Sequence, residues 1–341
     1  MDALPRHIDT AAAPAVLVEG LTKDFGDVQA VRGIDLTVYS GETFGFLGPN
    51  GAGKSTTISI LCTLLDPSGG TARVADFDVL TQRDDVRRNI GLVFQETTLD
   101  VYLSAAQNLE FHAELYGVPR ALVRPRMQQV LEMVGLWDRR DSLVQTFSGG
   151  MKRRLEIARG LMHSPTVLFL DEPTVGLDPQ TRSSIWKYLY QLRDTEDITI
   201  FVTTHYMDEA DHCDRIAIMD AGKTVALDTP AALKAQVGKD RVEIRTDDND
   251  AAIIAIGEQF GIDAHVVDGT VIFAVADGEQ FVPQLFEMGM AIRAVSVARP
   301  SLDDVFMAHT GSSIRDADQG PSRGSGMPAH RAGRRCPHDC D

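Results

Sequence analysis

Thr43-Phe44-Gly45-Phe46-Leu47-Gly48-Pro49-Asn50-Gly51-Ala52-Gly53-Lys54-Ser55-Thr56 passes from a short apolar run into a glycine-rich turn. A helical pattern follows through Ile58, Leu61, Leu64 and Leu65, and Asp66-Pro67 closes it. Gly48 to Ser55 fits the spacing G-x-x-x-x-G-K-[ST] between a strand and a helix. Glycines there let backbone N–H groups converge on phosphate oxygens without Cβ interference, and the helix N-terminus adds partial positive charge. Lys54 is expected to neutralise the β- and γ-phosphates of a nucleotide, and Ser55 to ligate Mg²⁺.

Outward from this turn, strands and helices alternate. Val16–Glu19 and Ile34–Val38 alternate like half-buried strands. Ser104–Gly135 has helical apolar spacing throughout, and Val167–Leu170 is a wholly apolar strand. Ile198–Thr203 and Arg215–Met219 read as further strands. This alternation predicts an α/β fold on a parallel sheet. Past about Lys239 the character changes. Arg241–Arg245 reads as a strand, Ala251–Phe260 as a helix, Val266–Val275 as a hairpin turning at Asp268-Gly269, Phe281–Met288 as a helix and Ile292–Val297 as a strand. The predicted division is a flexible start (1–15), a main α/β domain (16–238), a small α+β accessory domain (239–311) and a disordered tail (312–341) rich in Gly, Pro, Ser and Arg.

Composition bounds the function. The chain has 341 residues, 43% of them hydrophobic, enough for one full domain and a smaller one. Its formal net charge of -16 repels phosphate backbones, so nucleic acid is not an expected partner. No stretch is apolar for the roughly 18 residues that span a bilayer. Met1 to Pro14 lacks the basic end and apolar run of a secretory signal. Cys62 and Cys213 read as small buried hydrophobes. The cysteines and histidine of Cys336-Pro337-His338-Asp339-Cys340 lack zinc spacing.

Two more motifs carry chemistry. Val167-Leu168-Phe169-Leu170-Asp171-Glu172 is an apolar strand that ends in two carboxylates. Parallel sheets gather ligand sites at strand C-terminal ends. Asp171 is therefore expected beside the phosphate turn, holding Mg²⁺ through water, with Glu172 polarising the attacking water. Alone, an acidic strand end is an ordinary solvated feature. Phe147-Ser148-Gly149-Gly150-Met151 opens another helix and offers a second anion cradle, although a serine-capped helix is by itself common.

Taken together, these segments resemble the ATPase domain of ATP-binding-cassette (ABC) transporters over about residues 16–235. The sharpest stretch is Ser148-Gly149-Gly150-Met151-Lys152-Arg153-Arg154-Leu155, then Leu170-Asp171-Glu172-Pro173-Thr174, then Gly176-Leu177-Asp178-Pro179. The resemblance implies a phosphate-loop cassette with a helical subdomain. It implies a homodimer stacked head to tail, each ATP lying between one chain's phosphate loop and the partner's Ser148–Met151 turn. It further implies that Gln95 reaches Mg²⁺ and couples to a separately encoded polytopic permease, that His205 contacts the γ-phosphate, that Asp178 links the two sites and that Phe25 stacks on adenine. Phe147 and Met151 depart from the family's usual Leu and Gln without replacing the serine and glycine donors. Met151 with the basic run, and Pro300-Ser301-Leu302-Asp303-Asp304-Val305-Phe306, resemble the daunorubicin-resistance type of exporter ATPase. The expected role is ATP hydrolysis at the cytoplasmic face of the membrane, driving export of a drug, antibiotic or lipid-like cargo. A soluble ABC ATPase acting on ribosomes, DNA or protein complexes is the competing expectation. Lys152-Arg153-Arg154 is expected to be a solvated face or a subunit contact.

Overall fold

The structure, a computed structural model, describes residues 13–267, 269–287 and 291–310. The expected tail, its cysteines, most of the flexible start, and Asp268 and Met288 lie outside the described residues.

In order, the elements begin β1 (Pro14–Phe25), β2 (Val28–Tyr39), β3 (Thr43–Leu47), α1 (Lys54–Leu61), β4 (Gly69–Val74), β5 (Phe77–Asp78), α2 (Arg83–Asn89) and β6 (Ile90–Val93). The helices α3 (Ala105–Leu115), α4 (Arg120–Met133) and α5 (Gly149–Gly160) come next. Then follow β7 (Val167–Asp171), α6 (Pro179–Glu196), β8 (Thr199–Thr204), α7 (Met207–Ala210), β9 (Arg215–Asp220), β10 (Lys223–Asp228) and α8 (Pro230–Val237). The last part holds β11 (Asp240–Thr246), α9 (Asn249–Phe260), β12 (Ala264–Val267), β13 (Thr270–Val275), α10 (Gly278–Glu287), β14 (Ile292–Ala298) and α11 (Leu302–Thr310).

The central sheet runs β10-β9-β3-β8-β7-β6, parallel except for the edge strand β10. Its inner strands are largely apolar because each face meets a different core. Phe44, Phe46, Phe169 and Phe201 point to one side, with ring centroids 5.3–5.7 Å apart around Phe201. There they pack with α1 and the antiparallel sheet β2-β1-β4-β5. Leu47, Leu168, Leu170, Ile200 and Val202 point to the other side, into a core shared with α3–α6. Each fully buried side chain of this kind contributes about 1.5–3 kcal/mol. The third sheet, β12-β13-β11-β14, is antiparallel and packs on α9 and α10 through Val242, Ile256, Phe273 and Leu285. The final helix α11 packs on α8 instead, and Leu302, Val305 and Phe306 join the core of the central sheet.

Several expectations need correction. The Ser104–Gly135 pattern is two helices, parted where Gly117 turns to φ 68° and Pro119 precedes α4. The helix after the glycine-rich turn ends at Leu61 and does not reach Leu65. Thr63 takes a left-handed conformation (φ 61°) and Arg87 binds its hydroxyl at 2.8 Å, so the backbone is captured by α2. The first two strands are much longer than the alternating cores Val16–Glu19 and Ile34–Val38, because the hairpin continues through exposed residues with register shifts. Arg153 is not solvated: it is 6% exposed.

Candidate functional site

Register in the central sheet builds the site. Leu47 pairs with Thr204, and Asp171 pairs with Thr203, so the C-terminal ends of β3, β7 and β8 lie side by side. The chain leaves β3 into residues 48–53, leaves β7 into Glu172 and leaves β8 into His205. Gly48 and Pro49 are buried, Asn50 and Gly51 exposed, Ala52 and Gly53 buried, Ser55 exposed and Thr56 half-buried. Gly53 caps α1 at φ 108°, and a Cβ there would stand 2.5 Å from the carbonyl oxygen of Ala30. Only glycine satisfies both conditions. No side chain caps α1, and a helix start without a side-chain cap is the kind of place that suits an anion.

Lys54 is buried at 4% exposure, and its Nζ donates to the carbonyls of Gly48 (2.7 Å) and Pro49 (3.1 Å). The same nitrogen lies 3.4 Å from Glu172 Oε1. Glu172 Oε2 is 3.3 Å from His205 Nδ1, a close polar contact without the alignment of a hydrogen bond. Burial pushes the Glu172 carboxyl upward, but His205 and the Lys54 ammonium outweigh it and hold the group below the usual carboxylate range. Glu172 also sits at φ 45°, a strained conformation for a non-glycine residue, fixed by its N–H donating to Thr203 Oγ1 at 3.0 Å. Ser55 Oγ donates to Asp171 Oδ1 at 3.3 Å, and Thr203 Oγ1 donates to the same oxygen at 2.5 Å. An exposed hydroxyl beside a carboxylate is an oxygen donor set that suits Mg²⁺ completed by phosphate and water. Among the described residues no cluster of three or more His, Cys, Asp or Glu forms a self-sufficient metal site.

A second grouping forms at two helix starts. Ser148 caps α5 by accepting from the Met151 N–H at 3.3 Å. Asp178 caps α6, accepting from Thr181 N at 3.0 Å and Thr181 Oγ1 at 2.6 Å, bonds that hold its carboxyl low. Gly149 lies next to Leu177 and Gly150 next to Thr181, so the two turns touch. Phe147 is buried in the helical core at 5% exposure, which accounts for an aromatic where leucine is usual.

Gln95 is exposed just beyond β6, whose Val93 pairs with Leu170. Phe25, at the end of β1, is 50% exposed, with Lys23 Nζ 5.1 Å from its ring centroid. Sequence reasoning missed Thr203, which bonds both to Asp171 and to the backbone of Glu172. It also missed the contacts around His205. Tyr206 lies against the His205 ring (centroids 4.1 Å apart), and the Arg182 guanidinium lies 4.1 Å from the Tyr206 ring centroid. Buried Glu209 accepts from Thr204 Oγ1 at 2.7 Å and from Thr174, with Arg182 at 3.8 Å. The threonines at the end of β8 were the available signal, since a fully buried hydroxyl needs a polar partner.

The family model described as ABC transporter matches residues 31–175, and that described as ATP-binding protein DrrA1-3-like, C-terminal domain, matches residues 229–310. The chain is 40% identical to the daunorubicin/doxorubicin resistance ATP-binding protein DrrA of Streptomyces peucetius, covering 91% of this chain and 96% of that one. Among solved structures it is similar to cbiO1 of Clostridium perfringens, part of the ABC transporter complex cbiONQ (TM-score 0.62, 29% identity, 73% of this chain and 96% of that chain). It is similar too to the ATP-binding cassette MJ0796 in a dimeric post-hydrolysis state with ADP and Pi (TM-score 0.57, 28% identity, 63% of this chain and 98% of that chain).

Proposed function

Given that the chain belongs to the ABC transporter family, as an ATP-binding and ATP-hydrolysing subunit of the drug-resistance exporter type, we propose that two copies close head to tail on two Mg·ATP and drive a separate membrane permease. The cargo proposed is a drug, antibiotic or lipid-like compound, and the DrrA relative, named for daunorubicin/doxorubicin resistance, supports the drug reading. The observation that carries the proposal is the convergence at Glu172. Lys54, from the helix after β3, and His205, from the end of β8, stand 3.4 Å and 3.3 Å from its two oxygens.

In this reading Lys54, anchored on two loop carbonyls, presents its ammonium to the terminal phosphates. Backbone N–H groups of the glycine-rich turn and of the start of α1 would cradle the others. Ser55, Asp171 and Gln95 would hold Mg²⁺, which neutralises phosphate charge when bound. Glu172, kept ionised, accepts a hydrogen bond from the attacking water and orients it in line with the γ-phosphorus. His205 carries a ring N–H toward the γ-phosphate. Ser148, Gly149 and Gly150 of the partner close the other side, Asp178 meets the partner, and Phe25 stacks on adenine.

Among the described residues no helix is long and apolar enough to cross a membrane, and in this reading the separate permease carries the cargo. A cleft of about 440 Å³ opens near Gln95, and Leu64, Phe94, Phe111 and Leu115 on its walls are exposed. Such a cluster of large apolar side chains supports docking of the permease there, which would hold the chain peripherally on the cytoplasmic face. The test is Glu172→Gln in the full chain. It is expected to bind ATP and dimerise while turnover falls by about 100-fold or more; turnover at the wild-type rate removes Glu172 from the chemistry.

A further inference from the structure

Arg153 lies near the start of α5, and Glu156 follows one helical turn later; they are 6% and 1% exposed. Arg153 Nε donates to the Pro173 carbonyl at 2.6 Å and Nη2 to the Asp171 carbonyl at 3.1 Å. Nη1 donates to the Phe94 carbonyl and meets Glu156 Oε2 at 3.2 Å. The other oxygen of Glu156 accepts the Thr98 N–H at 2.8 Å. Arg159, a further turn along, donates to the Thr98 carbonyl at 2.9 Å.

The bonded backbone groups flank the functional residues. Phe94 and Thr98 stand on either side of Gln95, and Asp171 and Pro173 on either side of Glu172. All are gripped from the helix that begins at Ser148. A buried ion pair is costly unless its donors and acceptors are satisfied, and here the guanidinium fork is used on three carbonyls and a carboxylate. That geometry needs planar, divergent donors, which lysine lacks.

We propose that Arg153 and Glu156 are positioning residues that fix the 94–98 segment, and with it Gln95, against the Asp171–Pro173 turn, so that Glu172 and Gln95 keep a set relation to the Ser148 helix. This rests on the function proposed above. Neither side chain touches the nucleotide; both act through the backbone they hold.

The experiment is steady-state ATP hydrolysis by the full-length chain, with nucleotide binding and thermal unfolding measured on the same samples. Arg153→Lys keeps the charge opposite Glu156 but cannot reach all three carbonyls. It is expected to lower kcat about tenfold while KM for ATP stays within about twofold and the unfolding temperature stays near wild type. Glu156→Gln keeps an acceptor for Thr98 and is expected to give a smaller fall of the same kind. Wild-type kcat in Arg153→Lys, or a kcat that falls only in proportion to the folded fraction, overturns the inference. If Arg153→Lys does not fold, Glu156→Gln decides, and wild-type kcat there overturns it. A wild-type chain that hydrolyses no ATP would instead fail the functional reading itself.

Discussion

The methyl group of Thr181 stands against the Cα of Gly150, so that a Cβ on Gly150 would lie 2.4 Å from Thr181 Cγ2. The threonine cannot simply rotate away, because its hydroxyl is bonded to Asp178 at 2.6 Å. Gly150→Ala is therefore expected to break that bond, shift the start of α6 and destabilise the chain by about 1–3 kcal/mol. Adding Thr181→Ala removes the obstructing methyl and is expected to restore most of the lost stability. Chemical denaturation of the two single variants and the double variant checks this; strictly additive losses would count against the contact.

Shared sites make a mixing prediction. If Lys54 of one chain and Ser148 of the other act on one ATP, Lys54→Ala and Ser148→Ala chains should each be nearly inactive alone. Mixed, they form dimers with one unaltered and one doubly altered site. Hydrolysis in the mixture is expected to rise well above either parent. A mixture no more active than its components would show that each chain works with its own Ser148 or that one site cannot turn over alone.

Tyr206 touches both the His205 ring and the Arg182 guanidinium through its aromatic face, with its own N–H held by Thr204 Oγ1 at 2.9 Å. Tyr206→Phe keeps the ring and is expected to be near silent. Tyr206→Ala frees the imidazole and is expected to lower kcat by about tenfold with little change in nucleotide affinity. Equal activity of the two variants removes the ring from any part in orienting His205.

Glu42 gives a pH signature of stability. Burial pushes its carboxyl from 4.5 up to about 7, with Arg215 partly offsetting the shift. The folded chain keeps a proton that the unfolded chain releases, so this group's contribution is complete below about pH 4.5 and is lost as pH rises through about 7. Glu42→Gln is expected to abolish that slope. Relative to wild type it should gain on the order of 2–3 kcal/mol between pH 4.5 and 8, read as unfolding midpoints at both ends of the range.

The central sheet was legible because strands buried on both faces are written as unbroken apolar runs. The glycine-rich turn before α1 was legible because glycines such as Gly53 are fixed by backbone geometry. The antiparallel sheet was only glimpsed, since β1 and β2 extend through exposed, bulged residues such as Glu19 and Arg32 that carry no alternation. Arg153 was misread because a basic run looks solvated until three carbonyls from distant segments are brought to it. The left-handed backbone of Glu172 has no signature in sequence either, as its cause is Thr203 on a neighbouring strand. The residues of the candidate site could be nominated from local spacing, whereas the side chains that hold them depend on long-range contacts.

The last helix has a bearing on how the C-terminal region must be dissected. The polypeptide departs from the cassette after Val237 and comes home at Leu302, whose neighbours Val305 and Phe306 settle beside Leu233. The intervening strands are thus a bulge carried on two stems whose feet are close, Arg299 lying 3.9 Å from Asp240. Stopping translation at Lys239 would strip a wall from the ATPase and report damage as if it were regulation. Excising the bulge between its stems, with a short bridge across them, would leave that wall standing.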